Sequence, residues 1–174
     1  MLISDDYRAL NAQMHRDKPK WGAVGEANAH MVRHLCKISG GLKKFLDYGA
    51  GREKLRKLME PEGFEVTSYD PCVPGIDTPP KPHDLVVCFD VLEHVEPECV
   101  DDVIADLARV TRKMGLYSIS TGPAKRLLPD GSNPHRTQQP MSWWLSDERL
   151  GKHFHILASK ESDGSFGILV KPKG

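Results

Sequence analysis

The sequence predicts an α/β fold in which a mostly parallel sheet lies between two layers of helices. A continuous apolar run, LVVCF at 85–89, is typical of a strand covered on both faces in a parallel sheet. A short strand at 44–48 runs into a glycine turn, where the backbone can bend sharply. Strand and helix patterns then alternate until two last strands meet at Asp163-Gly164, a dipeptide typical of a tight antiparallel hairpin.

The length of 174 residues, with a mass of 19.4 kDa, suits a single domain. We expect a helical N-terminal cap over 1–40 and the α/β core over 42–174. The predicted elements are helices over 5–39 (broken around 18–22), 52–60, 97–110 and 140–150, and strands over 44–48, 64–69, 84–89, 115–121, 153–161 and 165–171. The stretch 122–139 is rich in proline and glycine and predicts a long loop.

Composition argues against several classes of protein. The 24 basic and 24 acidic residues cancel, whereas a dedicated nucleic-acid binder usually has a basic excess. The 4 cysteines form no CxxC pair, and His153-x-His155 has no evident third ligand, so we expect reduced thiols and no metal site. No apolar run is long enough for a membrane span and the first residues lack a signal-peptide core, which predicts a cytoplasmic protein without a membrane partner.

The glycine turn Gly49-Ala50-Gly51 follows a strand that ends near Asp47. Asp70 comes 21 residues after Gly49, at the end of the next predicted strand, where a carboxylate can accept hydrogen bonds from both ribose hydroxyls. The third glycine of the dinucleotide pattern G-x-G-x-x-G is replaced by Lys54. The pattern therefore favours a nucleoside cofactor without phosphates.

Four segments carry a specific resemblance. FLDYGAGREKL resembles the first motif of class I S-adenosylmethionine-dependent methyltransferases, and TSYDP resembles the acidic end of their second strand. LVVCFDVLEHVEPE is similar to the fourth strand and following turn of small-molecule members such as the ubiquinone-pathway enzymes. NPHRTQQPMSWWL resembles a segment of small methyltransferases that are often encoded by phages. The resemblance implies a Rossmann-like three-layer sandwich with S-adenosyl-L-methionine as cofactor.

The same resemblance implies roles for individual residues. Gly49, Ala50 and Gly51 would pass under the methionyl part of the cofactor. Asp47 would hold its amino group directly or through water, with a helix cap as the alternative. Asp70 would bind the ribose, with a turn-stabilising carboxylate as the alternative. Three consecutive residues, Phe89, Asp90 and Val91, would border the adenine or the methionine moiety of the cofactor.

One feature departs from the family pattern. Only residues 71–83 separate the second predicted strand from the next, although family members usually have a helix and a third strand there. Pro71, Pro74, Gly75, Pro79 and Pro80 fall in this stretch, so we expect the third strand to be reduced or absent. Asp77, with its neighbour Ile76, is then the substitute expected to contact adenine.

Methyl transfer is an in-line displacement that depends largely on positioning, and it needs a general base only when the acceptor arrives protonated. The candidate catalytic residues are His94, after the strand at 84–89, and His135, in the long loop; a packed helix-start residue is the alternative for His94. Asn133, His135 and Arg136 are the candidate acceptor-binding residues, although the loop could also be an ordinary solvated one. Trp21 is expected either to cover the cofactor as a lid or to anchor its own loop.

The acceptor class follows from motifs that the sequence lacks. Enzymes that methylate the amino groups of DNA carry (D/N/S)-P-P-(Y/F/W) after the fourth strand, where this chain reads FDVLEH, and no Pro-Cys nucleophile lies at a suitable site. The sequence therefore predicts a small-molecule or modified-nucleotide acceptor. Two alternatives stay open: a nucleic-acid methyltransferase that uses Lys125, Arg126 and Arg136 on phosphates, and a non-catalytic S-adenosylmethionine-binding protein.

Overall fold

The computed structural model describes residues 1–19, 21–22 and 25–174. Its helices are α1 (Asp5–Asp17), α2 (Gly25–Ile38), α3 (Lys54–Met59), α4 (Val100–Val110), α5 (Met141–Leu145) and α6 (Leu150–His153). Its strands are β1 (Lys44–Tyr48), β2 (Glu65–Tyr69), β3 (His83–Phe89), β4 (Thr111–Ser120), β5 (Phe154–Ser162) and β6 (Ser165–Pro172). Short 3-10 turns occupy Glu60–Glu62, Leu92–His94 and Pro97–Cys99.

The strands form one sheet in the order β2-β1-β3-β4-β6-β5. Strands β1 to β4 run parallel, and β6 is antiparallel to both β4 and β5. The predicted α/β sandwich with an antiparallel C-terminal hairpin is therefore confirmed. After β2 the chain returns past β1 to form β3, so the strand order reverses between β1 and β3. In open α/β sheets ligands bind at such a switch point, beyond the carboxyl ends of the strands.

The missing third strand is also confirmed. The segment 70–82, which the structure describes throughout, contains no strand, and β2 forms the edge of the sheet. This segment folds back on itself instead, because the backbone N–H of Asp70 donates to the carbonyl of Ile76 and that of Ile76 donates to Val73. Its prolines lack the N–H groups that a strand would contribute to a ladder.

The two faces of the sheet bury separate apolar cores. On one face, α2 and α3 contribute Val32, Leu35 and Leu55 to a cluster with Phe45 and Val87. On the other face, the α4 side chains pack with Trp144 and Leu150 against the alternate strand residues, which include Leu46 and Val86. Neighbouring residues of β1 and of β3 thus enter opposite cores, as the continuous apolar run predicts.

The N-terminal segment is divided between two layers. Helix α2 packs on the sheet, whereas α1 lies apart in a small cluster where Tyr7 and Met14 contact Leu128 of the long loop and Trp21. Helix α1 is capped at its start, since the Ser4 hydroxyl accepts a hydrogen bond from the N–H of Tyr7 (3.2 Å). Within the helical cap expected over 1–40, α1 is therefore the helix that contacts the long loop after β4.

Several boundaries differ from the prediction. Helix α4 begins at Val100 rather than at 97, because Pro97–Cys99 form a 3-10 turn. Strand β4 begins at Thr111 rather than at 115, because the backbone of Thr111 is already extended and pairs with His83 of β3. The helix predicted over 140–150 is divided into α5 and α6 by Ser146, whose backbone is extended and whose hydroxyl donates to Trp143. Among the described helices, none is both long and apolar enough to cross a membrane.

Candidate functional site

The carboxyl ends of the parallel strands open into a cavity of about 410 Å³. Its walls include the glycine turn after β1, Asp70 after β2 and Asp90 after β3. Residues of α1, among them Tyr7 and His15, line it from the N-terminal segment. The cavity therefore lies at the switch point, and the segments that cover it come from outside the sheet.

The glycine turn is closely packed on both sides. Gly49 and Gly51 have positive φ angles of 82° and 50°. A side chain at Gly49 would collide with Val91, and one at Gly51 would collide with the backbone of Gly22. The N–H groups of Gly49 and Ala50 both donate to the carbonyl of Tyr69, at 2.7 and 2.9 Å. Only glycine satisfies both the φ angles and the space at these two positions.

Asp70 is buried at the end of β2 and lines the cavity. Its Oδ2 accepts a hydrogen bond from the N–H of Gly51, and its Oδ1 accepts one from the N–H of Cys72, both at 2.9 Å. Burial raises the pKa of Asp70, an effect that these N–H donors and the nearby His15 oppose. Each carboxylate oxygen has a second lone pair, so Asp70 can still accept hydrogen bonds from a ligand's hydroxyl groups.

Asp47 lies at a second, smaller cavity of about 40 Å³ that also touches Gly49, Ala50 and Phe89. Its side chain is 4% exposed. Burial, with smaller contributions from the negative charges of Asp70 and Glu53, raises the pKa of Asp47 to about 7. A carboxylate whose charge is destabilised in this way gains strongly from a cationic group placed in the cavity beside it.

The turn after β3 brings Asp90 and Val91 to the main cavity. Asp90 has a φ of 52°, which is uncommon for a residue with a side chain and is often found at functional sites. The N–H of Asp90 donates to the carbonyl of Ser118 (3.1 Å), and the Ser118 hydroxyl donates to Asp90 Oδ1 (2.8 Å). These bonds hold the chain in a bend that directs Val91 across the glycine turn.

Three aromatic rings form another part of the wall. The ring centroids of Trp21 and His94 are 5.8 Å apart and those of His94 and His135 are 4.8 Å apart, both in edge-to-face arrangements. All three residues line the main cavity. Burial, with the nearby charges of His135 and His15, lowers the pKa of His94 to about 3. His94 is therefore a neutral imidazole near pH 7 and a weak base.

The proton position on His135 follows from its partner. Its Nδ1 lies 2.6 Å from the carbonyl oxygen of Gly122, which can only accept, so Nδ1 carries a proton and donates it. In the neutral ring, Nε2 then holds the free lone pair. The His135 N–H donates to Asn133 Oδ1 (2.9 Å), which fixes the backbone as well. His135 is thus an oriented ring with a free acceptor nitrogen.

The roof of the cavity is attached at several points. The Ser4 N–H and hydroxyl donate to the two carboxylate oxygens of Glu96, at 2.8 and 2.6 Å. The Tyr7 hydroxyl donates to the carbonyl of Pro134 (2.6 Å), which joins α1 to the long loop. Helix α1 and the loop over 122–139 therefore form one connected cover.

Arg52 attaches the other end of α1. Its guanidinium donates to the carbonyl oxygens of Trp21 (3.2 Å), Lys18 (3.0 Å) and His15, while its own N–H donates to Gly22 (3.1 Å). Arg52 directly follows the glycine turn in the sequence. It thereby couples the position of the N-terminal segment to the position of that turn.

Three residues predicted from the sequence lie away from both cavities. Asp77 is exposed and accepts a hydrogen bond from the N–H of Gly75 (3.2 Å), so it stabilises its own turn. Asn133 bonds both the N–H and the carbonyl of Ala124 and thus closes the loop. Arg136 is exposed, with its guanidinium carbon 5.3 Å from the centre of the Tyr7 ring. None of the three is among the described lining residues.

Two residues near the site were given no role from the sequence. His15 of α1 lines the cavity, and its buried Nδ1 has no hydrogen-bond partner among the described residues. Glu93 is fully buried, its Oε1 accepts the N–H of Ser120 (2.9 Å), and burial with the charge of Asp90 raises its pKa to about 8. His15 belongs to no motif, and Glu93 lies within the segment DVLEH, whose resemblance to the family did not indicate its contact with Ser120.

The side chains of the site do not form a metal-binding cluster within the part of the chain that the structure describes. The described ranges contain no group of three or more His, Cys, Asp or Glu side chains arranged to hold a metal ion. The four cysteines are free and buried. The polar groups of the site are instead carboxylates, imidazoles, backbone N–H groups and the cationic side chains of Lys125 and Arg126, which suit an organic ligand with several polar groups.

The Rossmann-like fold, the glycine turn and the carboxylates at the ends of the first two strands together define a protein that binds a nucleoside cofactor at a switch point. A family model for the methyltransferase domain matches residues 14–162, and the chain belongs to this family. The predicted class I methyltransferase family and fold are thus confirmed. No curated protein sequence matches the chain.

Solved structures show the same fold. The Burkholderia thailandensis 1,6-didemethyltoxoflavin-N1-methyltransferase, crystallised with 1,6-didemethyltoxoflavin and S-adenosylhomocysteine, is 15% identical with a TM-score of 0.67 over 97% of this chain and 90% of that one. The N-methyltransferase NodS of Bradyrhizobium japonicum, in complex with S-adenosylhomocysteine, is 12% identical with a TM-score of 0.63 over 98% and 100%. An rRNA methylase from Escherichia coli is 14% identical with a TM-score of 0.52 over 98% and 78%.

Proposed function

We propose that the protein transfers a methyl group from S-adenosylmethionine to a small-molecule acceptor. The single observation that carries this proposal is the covered cavity of about 410 Å³, which is lined both by Asp70 and the glycine turn and by the His94–His135 ring pair. One end of this cavity suits a nucleoside, and the histidine pair suits a second molecule beside it. The family match and the relatives crystallised with S-adenosylhomocysteine support the choice of cofactor.

The residues present fit S-adenosylmethionine. The free lone pairs of Asp70 would accept the two ribose hydroxyls, because its backbone donors use one lone pair on each oxygen. Asp47 would pair with the amino group in the small cavity, where a positive charge offsets the cost of its burial. When bound, the cofactor supplies an electrophilic methyl group on a sulfonium ion.

The chain's own residues then position the acceptor and exclude water. Trp21, held by its carbonyl to Arg52, covers the cavity beside His94. His135 is the better candidate for a general base, since its Nδ1 proton is fixed on Gly122 and its Nε2 is free to take a proton from the acceptor. His94, with a pKa of about 3, is suited to accept a hydrogen bond or to form the wall rather than to remove a proton.

The cover favours a small acceptor over a nucleic acid. Helix α1 and the long loop are joined above the cavity through Tyr7 and Pro134, and α1 is anchored to the turn after β3 through Ser4 and Glu96. A base within a polynucleotide would have to pass beneath this cover together with its backbone. A free small molecule or mononucleotide fits without that constraint. The cytoplasmic location and the similarity to phage-encoded members stay predictions.

The test has two stages. Calorimetric titration should first show binding of S-adenosylhomocysteine, the demethylated product. Purified protein is then incubated with methyl-tritiated S-adenosylmethionine and either the small-molecule or the RNA fraction of a cell extract. We expect label to appear in the small-molecule fraction. Label in RNA alone would contradict the proposed acceptor, and the absence of cofactor binding would contradict the proposed function as a whole.

A further inference from the structure

We infer that the acceptor carries an anionic group, a carboxylate or a phosphate, which Lys125 and Arg126 bind at the wall of the main cavity. This inference rests on the proposed function and adds the chemical class of its substrate. It comes from the charges that face the cavity, from how each of them is paired, and from the way the segment around 125–126 is held.

The two cations have no partner within the described chain. Lys125 and Arg126 both line the cavity, and neither forms an ion pair or a side-chain hydrogen bond with another described residue. By contrast, Arg52 near the same cavity uses its guanidinium on three backbone carbonyls. Adjacent ammonium and guanidinium groups at a cavity wall form a site for a carboxylate or phosphate, which the guanidinium can bind with two parallel hydrogen bonds.

The acids that line the main cavity are already engaged. Asp70 accepts from the N–H groups of Gly51 and Cys72. Glu96 accepts twice from Ser4, and Asp90 accepts from the hydroxyl of Ser118. Donors of the chain itself therefore partly satisfy the negative charges, whereas the positive charges of Lys125 and Arg126 are left for a ligand.

The segment that carries the cations is held at both ends. On one side, the side chain of Asn133 bonds the N–H (3.1 Å) and the carbonyl (3.0 Å) of Ala124. On the other side, Leu128 is buried against Tyr7 and Met14 of α1. Residues 125–126 lie between these two anchors, so their backbone is positioned before a ligand binds, which lowers the entropic cost of binding.

The other residues that line the cavity indicate the kind of molecule that carries the anionic group. The rings of Trp21, His94 and His135 form an aromatic surface, and Ile3 and Val95 add apolar contacts. Such a wall suits a flat apolar body whose polar group reaches the cations. The acceptor expected from both features is a small aromatic acid or aromatic phosphate.

The experiment uses the full chain saturated with S-adenosylhomocysteine, whose binding is measured first. Ligand-observed NMR or calorimetry then measures the affinities of benzoate, phenyl phosphate, neutral benzamide, benzylammonium and a short single-stranded RNA. The variants are Lys125→Ala/Arg126→Ala, the charge reversal Lys125→Glu/Arg126→Glu, and the control Lys160→Ala/Lys171→Ala, which removes two exposed cations of β5 and β6. Thermal unfolding of each variant checks that it is folded.

We expect benzoate or phenyl phosphate to bind about tenfold or more tightly than benzamide, the scale of one hydrogen bond between charged groups. The alanine pair should abolish this preference, the glutamate pair should transfer it to benzylammonium, and the control should retain it. The relative affinities of benzoate and phenyl phosphate distinguish the two anion classes. Equal binding of benzamide, wild-type behaviour of the alanine pair, or binding of RNA alone would overturn the inference. A failure to bind S-adenosylhomocysteine would instead count against the proposed function.

Discussion

Gly49 and Val91 pack against each other across the switch point of the sheet, so closely that Gly49 has no room for a side chain. Gly49 belongs to the turn after β1 and Val91 to the turn after β3, and both line the main cavity. The backbone bend at Asp90, with its φ of 52°, aims Val91 at the glycine. The shape of the cavity at this point is thus set by a contact between two turns rather than by either turn alone.

This contact predicts an unusually costly glycine substitution. Gly49→Ala should destabilise the fold by about 1 kcal/mol for its positive φ and by about 1–3 kcal/mol more for the collision with Val91. The matched control is Gly63→Ala, because Gly63 has the same φ of 82° but nothing within 4 Å of the added methyl group. Urea unfolding of both variants measures the difference. Equal losses of unfolding free energy in the two variants would show that Val91 moves aside without destabilising the fold.

The second prediction concerns the two acidic residues expected to hold the nucleoside. Asp70→Ala should weaken S-adenosylhomocysteine binding by about 1–3 kcal/mol, the cost of lost hydrogen bonds to a charged acceptor. Asp77→Ala should leave it unchanged, since the Asp77 side chain is exposed and accepts its hydrogen bond from Gly75 of its own turn. Calorimetry on both variants tests the pair. Weaker binding in Asp77→Ala together with unchanged binding in Asp70→Ala would contradict the assignment of Asp70 as the nucleoside-binding carboxylate.

The sequence predicted best those features that depend on neighbouring residues. The run at 85–89 is β3 because every one of its side chains meets a core, and Asp70 lies beside the glycine turn because β1 and β2 pair in parallel register. The absence of a third strand followed from proline chemistry in the same way. The prolines did not predict the course of the segment 70–82 that links β2 to β3. This segment folds back through the hydrogen bond between Asp70 and Ile76, and Asp77 lies outside both cavities.

The cover of the cavity could not be predicted, because its contacts join residues far apart in the chain. Ser4 and Glu96 are 92 residues apart, and Tyr7 and Pro134 are 127 apart. No local pattern marks such partners. Asn133 shows a second limit. The composition of 122–139 predicts a long loop, but it does not tell which polar side chains face the cavity. Asn133 bonds Ala124 within the loop, whereas His135 lines the cavity.

The third prediction is a pH dependence that belongs to Asp47. Its pKa of about 7 in the folded protein exceeds the ordinary value of 3.8, so the folded state holds a proton that the unfolded state loses. The resulting stability is fully present below about pH 4 and is lost as the pH rises to about 7, up to roughly 4 kcal/mol in all. Asp47→Asn mimics the protonated form, so wild type should lose stability relative to this variant across that range.

Urea unfolding at several pH values measures this difference. The control is Asp163→Asn, which changes an exposed carboxylate in the hairpin between β5 and β6. Its curve should run parallel to that of wild type. Parallel curves for wild type and Asp47→Asn would mean that Asp47 does not retain its proton on folding.

The fourth prediction separates two neighbouring residues of the long loop. His135→Ala should lower methyl transfer by about 100-fold or more, the usual contribution of a general base, while S-adenosylhomocysteine binding stays intact. Arg136→Ala should preserve transfer, because Arg136 is exposed and lies over Tyr7 outside the lining of the cavity. The measurement is label transfer to the acceptor fraction found in the extract assay. Equal rates for His135→Ala and wild type would remove His135 from the chemistry.

The last prediction concerns Arg52 and the release of ligand. Its guanidinium holds the carbonyls of His15, Lys18 and Trp21, so Arg52→Ala should free the C-terminal end of α1 while Ser4 and Tyr7 still hold the rest. We expect faster amide exchange over 5–19 and a dissociation rate of S-adenosylhomocysteine raised by about three- to tenfold, since the lost bonds involve a charged donor. Arg56→Ala is the control, because Arg56 forms ion pairs with Glu53 and Glu60 on the neighbouring surface and none with α1 among the described residues. If Arg52→Ala matched wild type in both exchange and dissociation, the cover would be held by its other contacts alone, and the coupling between the glycine turn and the N-terminal segment would have no part in ligand release.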